Sequence, residues 1–321
     1  MVLRQKFFLC TLLALIMIQP VFVYAQYPEK PITLIVGFRA GGTVDNVART
    51  LAKIVSENLA YPMVVVNKPG SGAKIAVKYT KDAAPDGYTL TLTPDQPFTF
   101  APLHEKDYPI TIDDFKYIVA VTKSQNAFIT NVNKPWHTFK EMIAYAKSHN
   151  NRLTYAALYP IDKLMVQLMS IRTGVTINSV QVKGGRDSVR AILKEHVDFG
   201  YSGGIHSKHS LQDDIRVLVS MRSERLFAFP DIPTLRELNY PVDYSPVTLI
   251  ATGKEVPDAI IQKLATVFQT ALQDERFEHL LTDLHFPKYF LGPEELEEKV
   301  RTQAKTYELM LRQAKMSIHD Y

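Results

Sequence analysis

Residues 31–45 read PITLIVGFRAGGTVD. Pro31–Phe38 is rich in β-branched and aliphatic residues and predicts a buried strand. Gly41 and Gly42 permit a tight turn. From Thr43 onward the apolar residues Val44, Val47, Ala48, Leu51, Ile54, Val55 and Leu59 recur at helical spacing, so an amphipathic helix follows. A buried strand that turns directly into a helix is the opening unit of an α/β fold.

The pattern continues outward from that unit. Met63–Val66 predicts a second strand, Asn67–Gly72 a turn-rich loop, Ala73–Lys81 a short helix and Thr89–Thr93 a third strand. Repeated strand–helix–strand units of this length predict a largely parallel sheet. The grammar restarts near residue 125. Thr138–Glu141 has the form of a capping box and opens a helix to about His149. Strands are expected at Leu153–Ala156, Ile177–Val182, Val197–Tyr201 and Arg216–Ser220, with helices at Asp162–Thr173 and Asp187–Lys194. Three helical segments close the chain, at Pro257–Gln273, Glu275–Leu284 and Pro293–Ala314. Two α/β units without a flexible linker predict lobes joined by crossing chain, at Tyr117–Val132 and Asp243–Thr252, with a cleft between them. Such clefts commonly hold small ligands.

The first 25 residues differ from the rest. Arg4 and Lys6 precede the apolar run Phe7–Ile18, and Val23-Tyr24-Ala25 offers a cleavage site. That arrangement predicts a secretory signal peptide removed after Ala25. Gln19-Pro20 interrupts the run before it reaches the roughly 20 residues a spanning helix needs. Over all 321 residues the formal charge is +4, with 46% hydrophobic and 22% charged residues and one Cys. Cleavage removes Arg4, Lys6 and Cys10, so the exported chain is nearly neutral and free of Cys. Neither a polyanionic partner nor a disulfide or Cys-zinc framework is expected.

Several patterns could carry chemistry. The turn from Gly37 to Asp45 brings backbone amides and the positive end of a helix dipole together, which suits a carboxylate or phosphate. Arg39 could add a guanidinium fork. A plain strand-to-helix turn capped by Thr43 or Asp45 fits the same residues. Gly70–Lys74 lacks the spacing of a phosphate loop. Gly200-Tyr201-Ser202-Gly203-Gly204 fits the nucleophile-elbow pattern G-x-S-x-G, with Asp231 or Asp243 and then His285 in the order a serine hydrolase needs. His206 and His209 are spaced for one helix face but lack a third metal ligand. The acid pairs Asp113-Asp114, Asp213-Asp214 and Glu294-Glu295 fit helix starts and turns better than catalysis.

Taken in order, the segments Tyr27–Ile32, Ala40–Asp45, Val66–Gly72, Ala84–Leu90, Asp114-Phe115, Lys183-Gly184 and Pro230–Thr234 resemble the substrate-binding proteins of tripartite tricarboxylate transporters, the Bug or TctC family. The resemblance runs from Tyr27 to about Arg312. It implies an α/β, two-lobed fold of the periplasmic-binding-protein (Venus flytrap) type, with an interlobe cleft. The lobes expected are 26–124 with 246–321, and 125–245. It also implies a periplasmic, monomeric binding protein without enzymatic activity, metal or cofactor. Such a protein captures a small carboxylate and delivers it to a permease of one large and one small integral subunit.

The family's carboxylate site carries over to Ala40, Gly41, Gly42 and Thr43, with Arg39 beside them and Asp45 orienting the turn. The loop Thr93–Phe98, including Asp95 and Gln96, is expected to line the same lobe. The second lobe is expected to add Tyr155, Ala156, Ala157, Tyr159, Asp162, Lys183, Gly184, Tyr201 and Ser202. Two departures stand out. Relatives often carry two prolines where this chain has Arg39-Ala40. The second-lobe loop, usually Tyr-Ala-Ser-x-Gly-x-Gly-Ser, is here Tyr155–Asp162, bulkier and with fewer small residues. Phe38, Phe98, Tyr159 and Tyr201 could then form an aromatic wall. The ligand is expected to be an aromatic carboxylate or a C4–C6 di- or tricarboxylate. A serine hydrolase using Ser202 and a ligand-sensing adaptor for a signalling partner are the alternatives.

Overall fold

The computed structural model describes residues 27–182, 185–204 and 214–314. The expected signal peptide, Lys183, Gly184, His206, His209 and Asp213 lie outside those residues. The first unit opens as the sequence predicts. Strand β1 (Ile32–Val36) leads through the glycine turn into α1 (Thr43–Glu57). β2 (Met63–Asn67), α2 (Lys74–Lys81) and β3 (Thr89–Pro94) follow. Both β2 and β3 pair parallel to β1. The apolar stripe of α1 is buried as its spacing requires. Val47, Leu51, Ile54 and Val55 pack on Leu34, Val36, Leu90 and Leu92 of the sheet. Removing one such side chain, as in Leu51→Ala, costs roughly 2–5 kcal/mol.

Two very short helices, α3 (Gln96–Thr99) and α4 (Ala101–His104), lead to β4 (Phe115–Lys123) and β5 (Ala127–Asn131). These two strands occupy most of Tyr117–Val132, the segment expected to be crossing chain. The crossing itself is only residues 124–126. The second unit then runs α5 (Phe139–Ser148), β6 (Arg152–Ala157), α6 (Pro160–Thr173), β7 (Thr176–Gln181), α7 (Gly185–Leu193), β8 (Phe199–Ser202) and β9 (Ile215–Ser220). The Thr138 hydroxyl caps α5 by accepting from the Glu141 amide at 3.2 Å. The Glu141 carboxylate accepts from the amide of His137 at 2.7 Å, one residue before the expected box partner. The return crossing spans residues 221–246. β10 (Val247–Gly253), α8 (Asp258–Leu272), α9 (Glu275–Asp283), β11 (Lys288–Leu291) and α10 (Pro293–Gln313) complete the chain.

The strands form two sheets. One has six strands in the order β11-β4-β10-β3-β1-β2, and the other five in the order β7-β6-β8-β5-β9. Neither is largely parallel, contrary to the expectation. β10 runs antiparallel to both β3 and β4, and β11 antiparallel to β4. In the second sheet β6 is parallel to β7 and β8, while β5 is antiparallel to β8 and β9. Two of these pairs, β4 with β10 and β5 with β9, follow because the chain crosses from β4 into β5 and returns from β9 to β10.

α10 belongs to both cores. Leu296 and Val300 pack with Phe98, Phe115 and Leu249 of the first sheet. Two turns later, Tyr307, Met310 and Leu311 pack with Leu164, Leu168 and Tyr244 beside the second sheet. Among the described residues no helix is long and apolar enough to cross a membrane.

Candidate functional site

Among the described residues, the glycine turn is the most open of the expected contact regions. Arg39, Ala40, Gly41 and Thr43 are exposed, and Phe38 and Gly42 half-buried. Gly41 sits at φ 77°, a left-handed conformation that glycine adopts without strain. Gly42 is the N-cap of α1 and has no side chain with which to cap it. The first-turn amides of Thr43 and Val44 therefore have no acceptor among the described residues. Free amides at a helix start, with the dipole behind them, attract an anion.

Asp45 fixes this turn from below. Its buried carboxylate accepts from the Gly41 amide at 2.8 Å, from Arg49 Nε at 2.9 Å and from Asn67 Nδ2 at 2.7 Å. Asn67 also donates to the Phe38 carbonyl at 3.0 Å, so the end of β2 holds both sides of the turn. Burial alone raises a carboxyl pKa. Here the bonds from Arg49, Asn67 and Gly41 outweigh it and hold Asp45 below the usual carboxylate range. Asp45 is thus an ionised positioning group, spent on the turn rather than offered to a ligand. Arg39 has no ion-pair partner among the described residues.

Beyond β3 the expected contacts separate. Thr93 and Asp95 are fully buried. The Asp95 amide donates to the Val247 carbonyl at 3.0 Å, and its Oδ2 accepts from the Val247 amide at 3.2 Å. This clamp joins β10 to the end of β3. Burial pushes the Asp95 carboxyl up to about 7. Phe98 is not part of an aromatic wall. It is wholly buried, edge-on to Phe115 and Tyr117 at 4.9 and 5.6 Å between ring centroids. Gln96 stays half-buried, and its amide donates to the Tyr244 hydroxyl.

In the second sheet Tyr155, Ala156 and Ala157 are buried and paired in register with Ser179, Val180 and Gln181 of β7. Tyr155 packs edge-on to Phe128. Strand pairing and core packing thus account for the burial of all three. Tyr159 remains half-buried, its ring 5.7 Å from that of Tyr201. The Tyr201 ring lies 6.0 Å from that of Tyr244, and its hydroxyl donates to Asn126 Oδ1 at 2.8 Å. A path of contacts therefore leads from Gln96, past the end of β3, through Tyr244 and Tyr201 to Tyr159 at the start of α6. The two sheets also meet where Gly204 faces Phe286. A Cβ added to Gly204 would lie 2.4 Å from Phe286 Cε1.

Asp162 is fully buried at the start of α6, where its carboxylate accepts from the Leu158 and Tyr159 amides. Ser202, the nucleophile of the hydrolase alternative and an expected ligand contact, is fully buried as well. Asp243, a possible acid partner, instead accepts from the Ser245 hydroxyl at 2.5 Å. Among the described residues no group of three or more His, Cys, Asp or Glu is placed to hold a metal. Sequence reasoning missed Asn67, Arg49, Asn126 and Tyr244. Asn67 lay in the recognised segment Val66–Gly72 but carried no assigned role, and the other three stood in no motif.

Two mixed α/β sheets, linked by strand-end crossings and a shared C-terminal helix, with a helix-start turn open at one strand end, define a two-lobed binding protein of the periplasmic type. Residues 47–314 match the model described as tripartite tricarboxylate transporter family receptor, and the chain belongs to that family. It is 29% identical over 273 residues to the UPF0065 protein in the gbd 5′ region of Cupriavidus necator, covering 84% of this chain and 83% of that one. It is also 29% identical to protein BugT of Bordetella pertussis over 264 residues, 78% of each chain. Solved structures share the fold. The periplasmic binding protein BugD superposes with a TM-score of 0.76 at 25% identity, over 91% of this chain and 99% of that one. A Rhodopseudomonas palustris protein with adipate gives 0.78 at 22% identity, over 91% and 99%. MatC of that organism with bound malate gives 0.75 at 22%, over 89% and 100%. By family, the chain is a solute-binding receptor.

Proposed function

We propose that this chain is a periplasmic binding protein that captures a small carboxylate between its lobes and delivers it to a tripartite tricarboxylate transporter permease. One lobe comprises residues 26–124 and 246–321, the other 125–245, and the C-terminal turns of α10 reach across into the second. The observation that carries the reading is the exposed turn Arg39–Thr43. Its amides at Thr43 and Val44 lack acceptors among the described residues, and Asp45 holds the turn open. The adipate- and malate-bound proteins of the same fold support a carboxylate. The charged and apolar N-terminal segment supports export, and the exported protein works beside a permease of one large and one small integral subunit. Ligand binding draws the lobes together by favouring the closed population.

Thermal-shift screening of carboxylates, sugars and cations tests the reading, because a specific ligand stabilises the folded chain by mass action. Stabilisation by carboxylates is expected. A shift with sugars or cations and none across the carboxylates would overturn it.

A further inference from the structure

The chain passes between the sheets at residues 124–126 and again at 221–246. The hydrogen bonds of these crossings decide which lobe they travel with. The Gln125 amide donates to the Gly203 carbonyl at 3.1 Å, and the Met221 amide to the Asn126 carbonyl at 3.0 Å. The Tyr244 amide donates to the Met221 carbonyl at 2.7 Å. Asn126 Nδ2 donates to the Tyr244 carbonyl at 3.2 Å, and Asn126 Oδ1 accepts from the Tyr201 hydroxyl of β8 at 2.8 Å. Gln125 Oε1 accepts from the Phe227 amide at 2.9 Å. The two crossings are therefore tied to each other and to the second sheet. The bending point falls where they leave the first sheet, at the end of β4 and the start of β10.

Side chains also bond across that point. Lys123 of β4 pairs with Glu224 at the surface at 2.8 Å, and Gln303 of α10 reaches the Asp243 carbonyl at 3.5 Å. Exposed ion pairs add little, and a bond of 3.5 Å is weak. The bond from the Gln96 amide to the Tyr244 hydroxyl differs from both. It ends on a wholly buried group, because Tyr244 is 0% exposed with its ring against those of Tyr201 and Tyr307. Its other end is fixed to the first lobe. Gln96 opens α3, and the preceding Asp95 is held to Val247 of β10 through both its amide and its carboxylate. A buried hydroxyl that loses its partner costs more than an exposed one.

We propose that Gln96 and Tyr244 are positioning residues for closure, whose hydrogen bond latches the first lobe to the crossings and holds the lobes near the angle at which they grip a solute. This goes beyond the reading above and rests on its claim that the lobes close on a ligand.

Small-angle scattering of the ligand-free protein, and calorimetry with adipate, malate and benzoate, test the latch. Tyr244→Phe removes the hydroxyl and keeps the buried ring. Gln96→Leu removes the other partner. The Tyr244 side chain is covered on all sides, so its effect on binding passes through the lobe angle. Losing the latch lowers the share of molecules ready to bind, which weakens every ligand by the same factor. For one neutral hydrogen bond that factor is about two- to ten-fold. Each variant is expected to show this loss together with a larger ligand-free radius of gyration. The double variant is expected to lose no more than the larger single loss, since both remove one bond. An unchanged radius of gyration in the folded variants would overturn the proposal. So would affinities in Tyr244→Phe that stay unchanged, or that fall by different factors for different ligands. If Tyr244→Phe fails to melt cooperatively, Gln96→Leu decides. Binding of a sugar or cation and of no carboxylate would overturn the carboxylate reading instead, and the latch is then judged with that ligand and by scattering.

Discussion

Replacing Gly41 with Val isolates the turn proposed to bind the anion from the rest of the molecule. No heavy atom lies within 4 Å of the position a Cβ would take at Gly41, so the new side chain meets no neighbour. The cost is in the backbone. A β-branched residue at φ 77° is strained by roughly 1–3 kcal/mol. The turn either bears that strain or swings to negative φ and loses the 2.8 Å bond from the Gly41 amide to Asp45. A domain of this size loses about 2–4 °C in Tm per kcal/mol, so the melting point should fall by no more than about 12 °C. Affinity should fall further in proportion. Loss of one charge-assisted amide contact, roughly 1.5–3 kcal/mol, weakens binding about ten- to hundred-fold. Gly174→Val provides the control. Gly174 has φ 71°, also with no heavy atom within 4 Å, but lies at the far end of α6. It should lower Tm similarly and leave affinity intact. Calorimetry and thermal denaturation on both variants supply the comparison. Carboxylate affinity within two-fold of the parent in Gly41→Val would refute the placement of the anion on this turn. Complete loss of cooperative melting would refute the claim that the substitution strains the turn alone.

Other consequences can be measured in the same way. Asn67→Ala removes the donor shared by Asp45 and the Phe38 carbonyl and should weaken carboxylate binding about ten-fold, although Asn67 itself belongs to β2; unchanged affinity would mean the turn holds itself. Burial raises Asp95 and Asp162 to about 7, so between about pH 4 and pH 7 the folded state holds protons that the unfolded chain has released. Their contribution to stability is therefore present at low pH and is lost as pH rises through 7. Asp162→Asn should flatten the decline of Tm between pH 5 and pH 8, and an unchanged slope would count against it. Gly204→Val places a side chain against Phe286, where the lobes touch, and should lower ligand affinity by hindering closure; small-angle scattering of the liganded variant would then show a larger radius of gyration than the parent.

The opening strand, its turn and α1 were readable because their signals are local. A five-residue strand with four aliphatic side chains, two glycines and a seven-residue helical stripe all lie within about thirty positions. β4 was not read as a strand, although its sequence FKYIVAVTK is apolar. It is buried on both faces, so it lacks the alternation that marks a half-exposed strand. β11 has four residues at a sheet edge, too few for any pattern. The antiparallel insertion of β10 depends on pairing across the whole second lobe and leaves no local trace. The site divides in the same way. The turn formed by Gly41, Gly42, Thr43 and Asp45 could be read from one short segment. Phe98, Tyr155 and Ser202 matched the expected positions in sequence but are buried by packing that only the assembled sheets create. Asp162 was expected to contact ligand, yet its carboxylate turns back onto its own helix start.

β10 also bears on how the molecule comes to exist. It is an interior strand of the first sheet, yet its clamp to Asp95 joins positions 152 residues apart. Until residues 247–253 arrive, β3 and β4 each present an unpaired edge, and the first core has no closing strand. Contacts this distant in sequence make folding slow. A chain that emerges from its N-terminus first must therefore pass through the whole second sheet before residues 247–253 seal the first. That delay leaves the first sheet incomplete while the second forms. It also leaves two sticky edges open to other chains, so a holding chaperone should raise the yield of refolded protein more than faster dilution does.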